Sequence, residues 1–155
     1  MLTLKVIALV VVLVYVGLLF RTTTLLYTKE QSLFGSAPAT TVLPDGLYQG
    51  SVTRGQGSWL GKKFNAREQT GINEFKTEAG TAFKYPFLLS FGEGVHDSHK
   101  VIKIDYNIPS NPFWLRLCLD EIVEIAPGEY LGKLHIRILP GYPFTLTFFR
   151  LTKVT

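Results

Sequence analysis

Histidine side chains come close together in this sequence at one place. His96-Asp97-Ser98-His99 sets two imidazoles and a carboxylate within four residues, and zinc accepts all of these as ligands. A metal site also needs a third ordered ligand, and Asp97 is the only neighbour along the chain that can serve. The preceding Gly92-Glu93-Gly94 favours a polar hairpin loop instead. We therefore treat His96 and His99 as weak metal candidates and expect no metal and no other cofactor.

The other candidates for chemistry are four acidic residues: Asp105, Asp120, Glu121 and Glu124. Two such carboxylates can act as a general acid and a general base. No nucleophile or cofactor motif accompanies them, so ion pairs with Arg116 or Arg137 are the more ordinary role. Those pairs would hold the loop over residues 107–112.

Cys118 is the only cysteine of the chain, so it cannot form a disulfide within it. Its neighbours Leu117 and Leu119 indicate a small buried apolar side chain rather than a nucleophile. The sequence also lacks a phosphate-binding loop, a dinucleotide fingerprint, a G-x-S-x-G nucleophile motif and an H-E-x-x-H metal motif. We therefore expect a protein that is not an enzyme.

The element that the sequence encodes most plainly is an unbroken apolar run between Lys5 and Arg21. As an α-helix, residues 2–21 would span about 30 Å, the thickness of the hydrocarbon core of a bilayer. Lys5 can extend its ammonium group toward the lipid headgroups. We expect residues 1–21 to be a single transmembrane anchor that contacts membrane lipids through residues 2–21.

A secretory signal peptide is the alternative, because such peptides carry a similar apolar run before a cleavage site. The small-residue pattern of a cleavage site does not follow Arg21 closely, and Ala37-Pro38-Ala39 lies far beyond it. This favours an uncleaved anchor. The positive charges on the two sides of the helix nearly cancel. We expect a single-pass protein whose domain lies outside the cytoplasm, on the periplasmic side if the protein is bacterial.

Two regions are expected after the anchor, a juxtamembrane stalk over residues 22–44 and a β-rich domain over residues 45–155. Four apolar stalk residues would extend the helix into the membrane interface: Leu25, Leu26, Leu33 and Phe34. Residues 35–41, rich in small residues and proline, would form a short tether. The formal net charge of the chain is +4, without a basic cluster longer than two residues, and this excludes a nucleic-acid partner.

The domain is predicted to be mainly β, because Val, Ile, Tyr, Phe and Thr dominate the runs between recurring Gly and Pro residues. Polar and apolar residues alternate over 100–106, 130–138 and 144–152, which is typical of strands with one wet face. Ala126-Pro127-Gly128-Glu129 predicts a hairpin turn before the second of these runs. A short helix is expected over Phe113–Glu121, although the same residues also alternate as a strand would. We expect a small, strongly bent antiparallel sheet or barrel.

The pattern G-x-aromatic-x-G occurs three times, with Tyr48, Trp59 and Tyr130 as its aromatic residues. On a strand, positions i, i+2 and i+4 share a face, so each ring lies between two positions without a side chain. Glycine at such positions allows a strand to coil sharply, as barrels require. The functional alternative is that these rings line a ligand cavity.

Gly57-Ser58-Trp59 resembles the G-x-W signature of lipocalins and related calycin barrels. In that family the tryptophan closes the floor of the barrel, and an arginine near the last strand packs over it. Arg150 lies similarly late in this chain. The resemblance implies a β-barrel in which Trp59 and Arg150 take these two places, with Tyr48 and Tyr130 as further barrel-lining candidates from the repeated pattern.

Aromatic residues are more numerous than a core of this size needs, so some of them must be exposed. Phe113 and Trp114 follow a proline-containing loop and are the expected contacts with a partner or with the membrane interface. We expect an accessory or assembly subunit of a larger membrane complex, for example a respiratory or photosynthetic one. The alternative is a membrane-anchored carrier of a lipid or other hydrophobic ligand in a calycin-like cavity.

Overall fold

A computed structural model describes residues 2–53, 55, 57–139 and 141–154, so Met1 and Thr155, the outermost residues of the predicted regions, lie outside the described residues. In this part of the chain two helices precede eight strands. Their bounds are α1 Leu2–Leu25, α2 Lys29–Ser36, β1 Gly46–Val52, β2 Trp59–Asn65, β3 Thr70–Thr77, β4 Gly80–Glu93, β5 Lys100–Asp105, β6 Cys118–Ala126, β7 Glu129–Leu139 and β8 Tyr142–Lys153.

The eight strands form a closed antiparallel barrel. Each strand pairs with the next along the chain, and β8 closes the barrel against β1, with Leu151 opposite Gly50. This confirms the prediction of a mainly β barrel behind an apolar N-terminal helix. Because the strands alternate in direction, the connections after β1, β3, β5 and β7 meet at one end, here called the open end. The connections after β2, β4 and β6 meet at the other, here called the filled end.

The strands predicted from alternating residues are confirmed. β5, β7 and β8 match the three alternating runs to within two residues, and Ala126 pairs with Glu129 across the predicted turn. Each fully buried large apolar side chain contributes about 1.5–3 kcal/mol, so the barrel core is a main source of stability. This core consists of Tyr48, Phe64, Phe87, Leu89, Ile102, Ile104, Tyr106, Ile122, Tyr130, Phe149 and Leu151.

The second half of α1 packs along the outside of β8. The Tyr15 and Phe144 rings meet edge to face, with centroids 5.5 Å apart, and Arg21 Nε donates a hydrogen bond of 2.9 Å to a β8 carbonyl. At the next residue, Thr22 Oγ1 accepts a hydrogen bond of 3.0 Å from the Thr145 amide. The contacts advance along β8 in the same direction as along the helix. The part of α1 before Tyr15 therefore projects beyond the open end of the barrel.

The helix α2 and the segment after it also pack onto the barrel. Phe34 is fully buried, and Lys133 Nζ lies 3.9 Å from the centroid of its ring. Ala37 is buried, and Thr40 Oγ1 accepts a hydrogen bond of 3.1 Å from a β6 amide. The predicted stalk contains a separate helix, but Leu25 and Phe34 are buried against the barrel rather than directed into a membrane interface as predicted. The expected tether over 35–41 also lies against the barrel. The outer apolar cluster consists of Leu25, Phe34, Ala37, Val101, Val123, Leu131 and Phe148.

The helix predicted over Phe113–Glu121 is wrong except for one 3-10 turn, Leu115–Leu117. From Cys118 onward the chain is extended and forms β6, in which Cys118 pairs with Ile136 of β7. The apolar residues of this segment fit a helical and an alternating pattern equally. Hydrogen bonding to a strand on either side outweighs the weak helical preference of the segment.

Glycines in the repeated pattern accommodate rings from neighbouring strands. A Cβ atom at Gly50 would lie 2.3 Å from the Trp59 ring, and one at Gly132 would lie 2.2 Å from the Phe149 ring. The rings therefore cross from one strand to the next, rather than lying between the glycines of their own motif as the pattern predicted. A β-bulge between Trp59 and Gly61 accompanies this packing and increases the local twist of the strand.

Candidate ligand-binding site

A cavity of about 540 Å³ occupies the open half of the barrel. Small-molecule sites typically measure roughly 300–1,000 Å³ and combine apolar walls with a few polar groups. Both tryptophans of the chain contribute to the wall, in which the polar members are Lys62, Asn73, Tyr106 and Asp120. The other members are Val52, Gly55, Trp59, Phe75, Tyr85, Trp114, Leu115, Cys118, Leu134, Thr147 and Phe149.

The buried ammonium group of Lys62 connects the polar side chains of the wall. Its Nζ lies 3.0 Å from Asp120 Oδ2 and donates to Asn73 Oδ1 at 2.9 Å and to the Tyr106 hydroxyl. The Tyr106 hydroxyl donates to Asp120 Oδ2 at 3.1 Å. Trp59 Nε1 donates to Asn73 Oδ1 at 3.1 Å. The three protons of the ammonium group therefore each have an acceptor.

Burial and charge act in opposite directions on Lys62. Burial lowers the pKa of Lys62, and the Asp120 carboxylate partly offsets that shift. Burial and the same carboxylate raise the pKa of Tyr106 well above its usual range, so its hydroxyl keeps its proton and can donate. Aromatic rings within 5.1–5.5 Å of Nζ also favour the charged lysine: Trp59, Phe87, Tyr106 and Phe149.

The thiol of Cys118 lies in the same wall. Burial, together with the Asp120 carboxylate, raises its pKa to about 11. The group is therefore a protonated thiol at neutral pH, and only a thiolate is an effective nucleophile. This agrees with the prediction that Cys118 serves as a small apolar side chain.

The second oxygen of the Asp120 carboxylate has no partner among the described residues. Asp120 Oδ1 is buried and receives no hydrogen bond from any group in that part of the chain. An unsatisfied buried acceptor costs roughly 1–3 kcal/mol, and more when it is charged. Because Asp120 belongs to the cavity wall, a bound molecule with an O–H or N–H group is a candidate donor for this oxygen.

The barrel is similar to a solved structure of low sequence identity. A crystal structure of a protein from Thermomonospora curvata superposes with a TM-score of 0.58 and 13% identity, over 81% of this chain and 85% of that chain. At this identity the likeness shows the fold alone. No family model matches the chain, and no curated protein matches it. The β-barrel implied by the lipocalin resemblance is thus present, whereas membership of that family is not shown.

The four predicted barrel-lining residues lie in three different environments. Trp59 lines the cavity. Tyr48 and Tyr130 are buried outside it, in the filled half, with ring centroids 5.6 Å apart. Arg150 is exposed, and strand alternation directs it outward because its neighbour Phe149 belongs to the core. Arg150 therefore does not line the barrel, and the ring that packs against Trp59 is that of Phe149, with centroids 5.8 Å apart.

The predicted contact residues Phe113 and Trp114 lie at the open end of the barrel. Phe113 is 77% exposed and Trp114 is 56% exposed, which confirms that part of the aromatic surplus is on the surface. The Trp114 ring meets the Tyr85 ring edge to face, with centroids 5.9 Å apart, and forms part of the cavity wall. Trp114 is thus positioned for contact with a molecule inside the cavity.

The histidine pair lies on the loop between β4 and β5, which folds over the outer face of the barrel. The His96 ring is 5.7 Å from the His135 ring, and the His99 ring is 6.0 Å from the Phe34 ring. In the described ranges there is no group of three His, Cys, Asp or Glu side chains that could hold a metal ion. The two weak metal candidates are therefore not joined by a third ligand.

The acidic residues are directed to different sides of the barrel wall. Asp105 Oδ1 lies 2.6 Å from an Arg137 nitrogen on the outside, which confirms one of the predicted ion pairs. Arg116 Nε donates a hydrogen bond of 3.0 Å to Asn107 Oδ1 and so holds the start of the loop over residues 107–112. Asp120 is in the interior, so Asp105 and Asp120 do not converge on one cleft.

Three residues of the polar cluster were not identified from the sequence: Lys62, Asn73 and Tyr106. The usable signal for Lys62 was its position two residues before Phe64, because residues i and i+2 of a strand share a face. Counting every second residue from Trp59 instead places Lys62 on the opposite face of the strand. The bulge between Trp59 and Gly61 shifts the alternation by one residue, so that Trp59 and Lys62 both face the interior. The bulge carries no distinctive sequence pattern beyond the glycine itself.

Proposed function

We propose that this chain is a membrane-anchored, non-catalytic barrel that binds a small, mainly apolar molecule bearing a hydrogen-bond donor. The observation that carries the proposal is the cavity of about 540 Å³, whose wall includes Asp120, a residue with one buried carboxylate oxygen that has no partner among the described residues. This favours the carrier function over the docking function expected first from the sequence.

The nature of the ligand follows from the wall. Most of the lining side chains are apolar or aromatic, so most of the ligand is apolar. Lys62 already donates to three acceptors and neutralises Asp120, so an anionic headgroup gains little from it. A hydroxyl or amino group would instead pair with Asp120 Oδ1. Long-chain alcohols and neutral lipids with a free hydroxyl have this chemistry.

The anchoring part of the proposal is supported by α1. Thr3–Leu25 is long and apolar enough to cross a membrane, and the most apolar part of it is not buried against the barrel. A helix of this kind near an N-terminus also fits a cleavable signal sequence. The packing of Tyr15 and Thr22 on β8 supports a retained helix, because cleavage would remove part of the outer face of the barrel. As expected from the sequence, we place the domain outside the cytoplasm in this proposal.

The test uses the two tryptophans as internal probes. The full chain in lipid nanodiscs is titrated with dibrominated stearyl alcohol or dibrominated stearate, since bromine quenches indole fluorescence at short range. We expect saturable quenching by the alcohol and about tenfold weaker apparent binding of the carboxylate, equivalent to roughly 1.4 kcal/mol. Equal, non-saturating quenching by both would reflect partition into the bilayer and would contradict the proposal.

A matched pair of variants separates the cavity from the outer surface. Leu134→Phe adds a ring inside the cavity, whereas Leu88→Phe adds the same ring at an exposed position of β4. Neither variant changes the number of tryptophans. Loss of saturable quenching in Leu134→Phe alone is the expected result.

A second proposal is the accessory subunit of a membrane complex, and the observation that favours it is the exposure of Phe113. Phe113→Ala would release a docked subunit while leaving the cavity unchanged. Extraction in mild detergent followed by native mass spectrometry would detect stoichiometric protein partners. Their absence from the unsubstituted protein would count against this second proposal.

A further inference from the structure

The tip of the β7–β8 hairpin carries an apolar surface beside the apolar helix. Ile138 is 47% exposed, Leu139 43% and Tyr142 40%. Tyr142 packs against Phe144, with ring centroids 5.3 Å apart, and Phe144 packs against Tyr15 of α1. The exposed tip and the helix are therefore continuous through three aromatic rings.

The length of the helix determines how deep this tip must lie. The part of α1 before Tyr15 is about 18 Å long at 1.5 Å per residue, well short of a hydrocarbon core of about 30 Å. The apolar run continues to Phe20, which is 74% exposed. A helix that crosses the bilayer must then be surrounded by lipid beyond Tyr15. From Tyr15 to Arg21 is about 9 Å, so the hairpin tip at the level of Tyr15 lies about 9 Å deeper in the membrane than Arg21.

We infer that the open end of the barrel rests on the bilayer, with the β7–β8 tip inserted among the lipids beside α1. This inference rests on the proposed function and deepens it, because the open end is also where the cavity lies. Phe113 and Trp114, exposed at the same end, continue the apolar surface around the cavity. The bilayer itself is then the source of the ligand, which moves between the lipid phase and the cavity without crossing water.

The burial depth required of the tip is physically ordinary. Interfacial elements bury their apolar faces about 5–10 Å into the boundary between headgroups and acyl chains. Within the tip, Leu139 of β7 lies opposite Tyr142 of β8. Aromatic residues such as Tyr142 are favoured at the level of the headgroups.

The test measures the depth of two matched positions in nanodiscs. A single cysteine is introduced as Leu139→Cys at the tip or as Ala126→Cys at the exposed β6–β7 turn of the filled end, and is labelled with the environment-sensitive fluorophore NBD. The unsubstituted chain is the labelling control for Cys118, whose raised pKa slows its reaction at neutral pH. Quenching is measured with doxyl-labelled phospholipid and with aqueous iodide.

We expect doxyl lipid to quench the label at 139 at least threefold more than the label at 126, and iodide to show the reverse. Iodide quenching of both positions would place the tip in water and overturn the inference. Protection of position 139 from both quenchers would place it under protein, in a partner or a second copy, and would equally overturn it. The saturable alcohol binding described above is measured on the same samples, so failure of insertion is distinguished from failure of the cavity to bind.

Discussion

Lys62 and Asp120 form an ion pair inside the barrel, with Nζ 3.0 Å from Oδ2 and 3% and 4% of their side chains exposed. They belong to β2 and β6, which are not neighbours in the sheet. The pair thus spans the barrel interior at the edge of the cavity. Its contacts with Tyr106 and Asn73 give both side chains a fixed place in the wall.

Removing one member of this pair should be more damaging than removing both. Lys62→Met leaves a buried carboxylate without its counter-charge, and we expect a loss of about 3–5 kcal/mol in the free energy of unfolding. The double variant Lys62→Met/Asp120→Leu replaces the pair with apolar groups and should recover most of this loss. Chemical unfolding of the solubilised full chain, followed by circular dichroism, measures both. Additive losses in the double variant would show that the two groups are not coupled.

Because Gly50 lies against the Trp59 ring, adding a methyl group at position 50 should destabilise the barrel only when that ring is present. Gly50→Ala should displace the Trp59 ring and destabilise the barrel by about 1–3 kcal/mol, as overpacking of a core does. In the Trp59→Ala background the same substitution should cost less, because the ring is no longer there. Gly35→Ala, at a position open to solvent in α2, is the control and should be close to neutral. Thermal unfolding of the four variants measures these effects. An equal loss of stability from Gly50→Ala with and without the Trp59 ring would show that the two residues are not in contact.

The barrel was predictable because alternation and recurring turn residues are local signals. The alternating residues of β5, β7 and β8 and the Ala126–Glu129 turn stand out in the sequence, and each forms as predicted. The local sequence from Phe113 does not distinguish a helix from a strand, because Trp114, Leu117 and Cys118 fit both the helical and the alternating pattern. Only pairing with strands distant in the sequence resolves that choice, and a single sequence does not display such pairing.

The candidate site was predictable only in part. Trp59 was found because its motif is distinctive, whereas the inward position of Lys62 depends on a bulge that shifts the alternation of β2 by one residue. Asp120 was noted as an acidic residue, but its partner comes from a strand on the other side of the barrel. The pairing of Arg150 with Trp59 followed from the resemblance and is not formed, because Phe149 occupies that place.

The attachment of α2 should depend on one side chain. Phe34 is fully buried beneath Lys133 in the outer apolar cluster, and Phe34→Ala should cost about 3–5 kcal/mol if the site cannot collapse. The neighbouring Leu33 is 37% exposed, so Leu33→Ala should have little effect. Hydrogen exchange over residues 29–37 measures the result. Unchanged protection in Phe34→Ala would contradict the docking of α2.

Acid should destabilise the outer face through His96. Burial, followed by the nearby His135, lowers the pKa of His96, so the unfolded chain binds its proton more readily than the folded chain. The contribution of His96 to the free energy of unfolding is therefore fully present above about pH 6.5, the usual histidine pKa. It is lost as the pH falls from there toward the lower pKa of His96 in the folded chain. His96→Phe keeps a ring against Tyr142 without the titration. The unfolding midpoint of the unsubstituted chain should fall more between pH 7 and pH 5 than that of His96→Phe.

Asp105 provides an internal contrast for this pH dependence. Burial acts to raise its pKa, but the hydrogen bonds from Arg137 and from the Asn107 amide, together with the charge of Arg137, outweigh burial and lower the pKa overall. Stability from this half-buried pair is therefore present above the ordinary aspartate range and is lost only below about pH 4. Arg137→Gln should alter the unfolding midpoint at pH 5–7 only by a constant offset. A change in slope over that range would assign the acid sensitivity to this pair rather than to His96.

Native mass spectrometry of the full chain, extracted from its own membranes in mild detergent, tests directly whether the cavity holds a ligand. Leu134→Trp adds an indole ring inside the cavity, and Leu88→Trp places the same side chain on the exposed outside of β4. We expect one bound small molecule on the unsubstituted chain and on Leu88→Trp, and a bare chain for Leu134→Trp. A bare unsubstituted chain, or the same bound mass on Leu134→Trp, would contradict this expectation.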